Sequence, residues 1–219
     1  MHKKEVIPTL FALDKENFNR KLTKISFSKK IHLDFMDGKF TQSSSISLND
    51  MNEILNFKTI DFEIHLMAYE PEQYIGKIKK LGIKKVLIQF EAFETNTELM
   101  YSIETFKERE LEVLLVINPG TDLEEVYPYF NEVSGVMIMS VWPGKEGQKF
   151  IENTYNKLLE IRKKFPNVII QVDGGISEKN ASEILKSGAD ILSVGSYISS
   201  NENAEENFNK LSQILNSIK

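Results

Sequence analysis

Ile31-His32-Leu33-Asp34-Phe35-Met36-Asp37-Gly38 reads as a buried strand that carries ionisable groups. Its period of two puts His32, Asp34 and Met36 on one face, with apolar neighbours on the other. A charged side chain inside a packed sheet costs several kcal/mol unless it is paired or bound to a metal. Here the polar groups fall at the C-terminal end of the strand, and Asp37-Gly38 closes it as a turn. Active sites of parallel α/β barrels are built at that end of their strands.

Two other segments repeat the arrangement. Glu63-Ile64-His65-Leu66-Met67 joins Glu63, His65 and Met67 on one face, and Ile169-Ile170-Gln171-Val172-Asp173-Gly174-Gly175 joins Ile169, Gln171 and Asp173. His32, Asp34, His65 and Asp173 together make an N₂O₂ donor set suited to Zn²⁺, Fe²⁺ or Mn²⁺. The chain has three histidines, and two of them occupy these positions. Singly, each His reads as well as a satisfied core residue and each Asp as a helix cap. Asp37 keeps that plainer reading; the set of four favours chemistry.

Around these segments, short apolar runs at 5–11, 30–36, 59–67, 84–89, 112–117, 135–141, 168–172 and 191–194 read as strands. Helical signals lie between them. Pro71 suits a first helical position before the stripe Tyr74, Ile75, Ile78 and Leu81, closed by Gly82. Thr121 and Glu124 have capping-box spacing, and the stripe Leu158, Ile161, Phe165 stops at Pro166. Ile184 and Leu185 precede Gly188, and Phe208, Leu211 and Leu215 mark the buried face of the last helix. The alternation predicts the α/β class, and eight strands favour a single (β/α)8 TIM barrel over 1–219 rather than an open sheet.

With 219 residues, 41% of them hydrophobic, the chain can bury one sizeable core as one domain. It has no cysteine, which excludes disulfides, thiolate zinc sites and Cys nucleophiles. A net charge of −5 without a Lys/Arg block argues against a nucleic-acid or membrane partner. Met1-His2-Lys3-Lys4-Glu5 lacks the apolar stretch of a signal peptide, so the expected location is cytoplasmic. A homo-oligomer is left open. Gly174-Gly175 after the seventh strand and Gly195-Ser196 after the eighth suit a phosphate, because glycine lets backbone N–H groups approach oxygen closely.

His32-Leu33-Asp34-Phe35-Met36-Asp37-Gly38 resembles the H-x-D-x-M-D-G signature of the ribulose-phosphate 3-epimerase family. His65-Leu66-Met67, Asn118-Pro119-Gly120-Thr121, Met139-Ser140-Val141, Pro143-Gly144, Gly147-Gln148-Lys149-Phe150, Asp173-Gly174-Gly175-Ile176 and Gly195-Ser196 follow in the family's order. The resemblance implies one divalent ion (Zn, Fe, Mn or Co) on His32, Asp34, His65 and Asp173, with Asp34 and Asp173 as the two proton-transfer residues. It puts Met36, Met67 and Met139 around the reacting carbons. It also implies a sugar-phosphate ligand touching Thr9, His65 and Asp173, with its phosphate on Gly174, Gly175, Gly195, Ser196 and the loop Gly144, Lys145, Glu146, Gly147.

The implied reaction converts D-ribulose 5-phosphate to D-xylulose 5-phosphate through an enediolate. The alternatives are a 3-epimerase of a related ketose phosphate, such as D-allulose 6-phosphate, and a non-catalytic sugar-phosphate binder. The chain departs from the family at Lys39-Phe40-Thr41-Gln42-Ser43, at Gln89 in place of a His, and in the lid-like loop. There Trp142 precedes Pro143, and Lys145-Glu146 replaces Phe-Gly. Glu146 would be strained if its position needs a positive φ, and would repel phosphate if it points inward; Lys145 is the expected partner. Trp142 is expected to roof the pocket or cover the barrel rim.

Overall fold

The computed structural model describes residues 2–54 and 59–218. Eight strands form a closed, all-parallel ring: β1 (Glu5–Leu10), β2 (Lys30–Met36), β3 (Asp61–Met67), β4 (Lys85–Gln89), β5 (Glu112–Ile117), β6 (Gly135–Met139), β7 (Ile169–Asp173) and β8 (Ile191–Val194). Each pairs with the next, and β8 closes on β1 through Glu5↔Ile191 to Pro8↔Val194. His32 stands level with Thr9 and Glu63, and Asp34 with His65. All eight expected strands form. The sixth ends at Met139 rather than at Val141, because Ser140 turns its hydroxyl to the carbonyls of Asp173 and Gly174 at 2.8 and 2.6 Å.

Between the strands run α1 (Lys15–Ile25), α2 (Leu48–Ile54), α3 (Ile75–Lys80), α4 (Asn96–Glu108), α5 (Leu123–Val126), α6 (Thr154–Lys164), α7 (Ala181–Lys186) and α8 (Ala204–Ser217). Asp14 caps α1 by accepting from the Asn17 N–H at 2.8 Å, and Phe18, Lys21, Leu22 and Ile25 form its buried face. Pro71 opens the 3₁₀ turn Pro71–Tyr74 that leads into α3.

The capping box expected at Thr121 and Glu124 does not form. Asp122 caps α5 instead, because the Thr121 hydroxyl is drawn to Glu91. A true capping box stands at the start of α4, where Thr95 and Glu98 satisfy each other's backbone N–H groups.

Helices and strands bury one continuous apolar layer between them, with Phe18, Phe106, Leu22, Ile64 and Leu66 among its fully buried members. Each such side chain contributes about 1.5–3 kcal/mol by leaving water. The inside of the barrel is divided. Leu87, Leu114, Val116, Met137, Met139 and Val141 fill the β4–β6 side, whereas the β2, β3, β7 and β8 side is polar. Among the described residues no helix is long and apolar enough to cross a membrane.

Candidate active site

A cleft of about 560 Å³, open to solvent, lies over the C-terminal strand ends. Asp34 enters it from the end of β2 and Asp173 from the end of β7, 8% and 7% exposed. Both therefore address one space. Met36 and Met67 pack with Phe11 into a small apolar wall, and Met139 closes the side toward the apolar half of the barrel. Thr9 also lines the cleft, and its buried hydroxyl has no hydrogen-bond partner. A buried polar atom without a partner is a natural contact for a bound ligand.

Behind Asp34 the ligand atoms of His32, Asp34 and His65 all lie within 4.8 Å of one another. Asp34 Oδ1 is 3.1 Å from His65 Nδ1 and 3.4 Å from His32 Nε2. His32 Nε2 is buried and makes no hydrogen bond, as expected of a nitrogen kept for a cation. The opposite ring nitrogen donates to Glu63 Oε1 at 2.6 Å. Lys85 Nζ (2.8 Å) and Gln171 Nε2 (2.5 Å) hold Glu63 in turn, and Gln171 also reaches Ser193 Oγ at 2.7 Å. His65 Nε2 faces the Gln89 amide at 2.9 Å. The Gln89 amide N–H donates to Nε2, and Nδ1 is the ring nitrogen that faces Asp34.

Two imidazoles and a carboxylate, each steadied from behind, fit a borderline divalent ion. Asp173 stands outside this 4.8 Å group, although it shares the cleft with Asp34.

The ionisation of these groups is set by burial against pairing. Burial disfavours charge on His32, but the nearby carboxylates of Asp34 and Glu63 prevail and push it up to about 10. Burial also opposes charge on Asp34 and Glu63. His32 and His65 nevertheless hold Asp34 well below the usual carboxylate range, and His32 with Lys85 does the same for Glu63. Asp173 has no such partner. Its burial, with the charge of Asp34 added, pushes it up to about 7. One cleft thus holds two carboxyls displaced in opposite directions from their ordinary range.

Gly174, Gly175, Gly195 and Ser196 line the cleft together with Gly144, Lys145, Glu146 and Gly147. Gly175 has φ +61, and a Cβ there would lie 2.6 Å from the Phe150 nitrogen, so only glycine fits. Gly174, at φ +111, would meet Val141 in the same way at 2.4 Å.

The lid loop differs from the expectation in two respects. Glu146 is not among the described non-glycine residues at positive φ, which are Glu70 and Glu110, so it brings no backbone strain. Its partner is Lys21 of α1 at 2.6 Å, not Lys145. Trp142 lines the cleft while 55% exposed, its ring lying over Gly120. Asn118 and Thr121 are not in the cleft wall; Glu91 Oε1 binds the Asn118 N–H at 2.8 Å and the Thr121 hydroxyl at 2.5 Å, so those motif residues shape the β5–α5 loop.

Of the residues expected to touch metal or substrate, the structure brings all but His32 and His65 to the cleft wall, and those two lie directly behind Asp34. Lys21 was missed. The available signal was a lysine inside the apolar stripe of α1.

A model of the Ribulose-phosphate 3 epimerase family matches residues 5–199. The ribulose-phosphate 3-epimerase of Aquifex aeolicus (strain VF5) is 31% identical over 189 residues, 84% of this chain and 84% of its own. That of Schizosaccharomyces pombe (strain 972 / ATCC 24843) is 29% identical over 207 residues, 92% of this chain and 90% of its own. A 3-hexulose-6-phosphate synthase from Salmonella typhimurium superposes with a TM-score of 0.74 over 99% of this chain and 100% of that one. At 18% identity that likeness speaks for the barrel alone. The sequence match, by contrast, runs from the first strand through the turn after the eighth, and the chain belongs to the ribulose-phosphate 3-epimerase family.

Proposed function

We propose that the protein is a metal-dependent epimerase that inverts C3 of D-ribulose 5-phosphate to give D-xylulose 5-phosphate. The observation that carries this reading is the pair Asp34 and Asp173: two carboxyls from β2 and β7 on one cleft, displaced in opposite directions from their ordinary pKa. The proton on the carbon beside a ketone is acidic enough for a positioned carboxylate to remove, leaving a planar enediolate. Ionised Asp34 takes that proton, and protonated Asp173 returns one to the opposite face. The two carboxyls finish with their protonation exchanged, and solvent resets them.

His32, Asp34 and His65, with Asp173 as the fourth ligand, would hold a divalent ion whose Lewis acidity stabilises the enediolate by several kcal/mol. Met36, Met67 and Met139 keep the reacting carbons in a dry, polarizable surround. The backbone of Gly174, Gly175, Gly195 and Ser196 receives the phosphate, which fixes C3 between the carboxyls.

Solvent exchange tests the reading. In D₂O the metal-loaded protein is expected to wash deuterium into C3 of D-ribulose 5-phosphate while D-xylulose 5-phosphate appears. Asp173→Asn is expected to lower turnover by about 10²–10⁴-fold, the usual worth of a positioned acid or base. Wild-type turnover in that variant would remove Asp173 from the chemistry.

A further inference from the structure

Lys21 and Glu146 form an ion pair that the proton-transfer scheme does not use. Lys21 lies on the inner face of α1 with its side chain 7% exposed, and its Nζ donates to the Phe11 carbonyl at 2.8 Å and to Glu146 Oε2 at 2.6 Å. Glu146 arrives from the loop after β6, 125 residues further along, and its side chain is 28% exposed. Its other oxygen faces the turn after β8: a Cβ on Gly195 would lie 3.8 Å from Glu146 Oε1. One carboxylate therefore spans the gap between a buried ammonium and a glycine of the cleft wall.

We propose that Glu146 is a resident counter-ion that the substrate's phosphate displaces, and that Lys21 is the buried cation serving whichever anion is present. The proposal rests on the reading of Gly174, Gly175, Gly195 and Ser196 as the phosphate cradle. An ammonium held out of water needs an anion nearby in every state of the protein. Glu146 supplies it when no ligand is bound. A phosphate dianion brought onto Gly195 would meet Glu146 Oε1 at close range, and the like charges would repel.

The exchange resolves that conflict without leaving Lys21 unpaired. Glu146 can leave without disturbing a strand, because it sits on the cleft rim between Gly144 and Gly147, in backbone free of strain. A neutral polyol end would not drive the exchange, since it offers Lys21 no charge in return. The exchange therefore calls for an anion, which the phosphate-cradle reading makes a phosphate monoester. In this chain its affinity is set by a competition that Glu146 imposes.

The experiment is calorimetric titration of inorganic phosphate into the full chain. Glu146→Gln keeps the shape and removes the competing charge, and is expected to tighten phosphate binding at least fivefold. Lys21→Met is expected to weaken it at least tenfold; if that variant fails to fold, Glu146→Gln decides alone. Phosphate affinity unchanged or weaker in Glu146→Gln, or no phosphate binding by any variant, overturns the proposal. A pair that merely latches the loop would lower the melting temperature in both variants and leave phosphate affinity unmoved, which also overturns it.

Deuterium exchange on D-ribulose 5-phosphate is read separately. Exchange without the phosphate effect sinks only this proposal. The phosphate effect without exchange sinks only the epimerase reading.

Discussion

Glu63→Gln separates what holds the metal ligands from what holds the barrel. Glu63 accepts from His32 Nδ1 through one oxygen, and its other oxygen receives Lys85 at 2.8 Å. In the glutamine variant one oxygen still meets His32, but an NH₂ group now faces the Lys85 ammonium. Removing one partner of a buried pair costs about 3–5 kcal/mol. Lys85 keeps 18% of its side chain exposed, so the lower end applies, about 3 kcal/mol. At roughly 2–4 °C per kcal/mol for a chain of this size, the metal-free protein should melt about 6–12 °C lower.

His32 also loses the charged acceptor that raises its basicity, and outer-shell losses of this kind weaken metal binding about 10–100-fold. Chelator competition for Mn²⁺ or Zn²⁺ reads the second effect and differential scanning calorimetry the first. Adding Lys85→Met should recover most of the stability and none of the metal affinity. A Glu63→Gln protein that binds metal within threefold of wild type would show that Glu63 does not orient His32.

Gln89→Leu removes the amide that steadies His65 from behind and should weaken metal binding by about tenfold, at the low end for an outer-shell contact, as read by the same competition. The metal-free protein should lose stability as pH rises. His32 is raised to about 10 and Asp173 to about 7; raised groups stabilise the fold fully below their unfolded pKa and stop doing so as pH climbs through the folded value. Above about pH 7, beyond the range in which the lowered pKa of His65 acts in the opposite sense, the melting temperature with EDTA should therefore fall up to about pH 10, and the stabilisation given by a saturating divalent ion should grow over the same interval. A melting temperature that rose across that range would contradict the assignment. Thr9→Val removes a buried hydroxyl that has no partner in the protein, so thermal stability should hold or improve. KM for the sugar phosphate should rise about fivefold, the worth of about one hydrogen bond.

Strand parity made the ligand set readable, because a histidine and an aspartate two residues apart in an apolar strand can only share the inner face. Parity does not give depth along the barrel axis. Glu63 and His65 share a face, yet one is tied to Lys85 below while the other touches Asp34 above. Thr121 misled for a local reason: capping spacing was present, but Glu91, thirty residues earlier, claimed its hydroxyl. Lys21 and Glu146 lie 125 positions apart, and nothing in either neighbourhood announces the other. Lys145, adjacent to Glu146, was the natural partner to expect until the helix face was placed against the loop.

The divided interior bears on how the ring assembles. Leu87, Leu114 and Met137 come from successive strands and can condense locally, whereas Glu63 waits for Gln171, 108 residues later, and Gln171 for Ser193. An incomplete cylinder would leave these groups without hydrogen-bond partners in a dry environment, so half-shut intermediates are disfavoured and the last seam zips cooperatively. Competence for proton transfer and completion of the ring then arrive together, and damage at any one stave should silence the enzyme before it visibly unravels the chain.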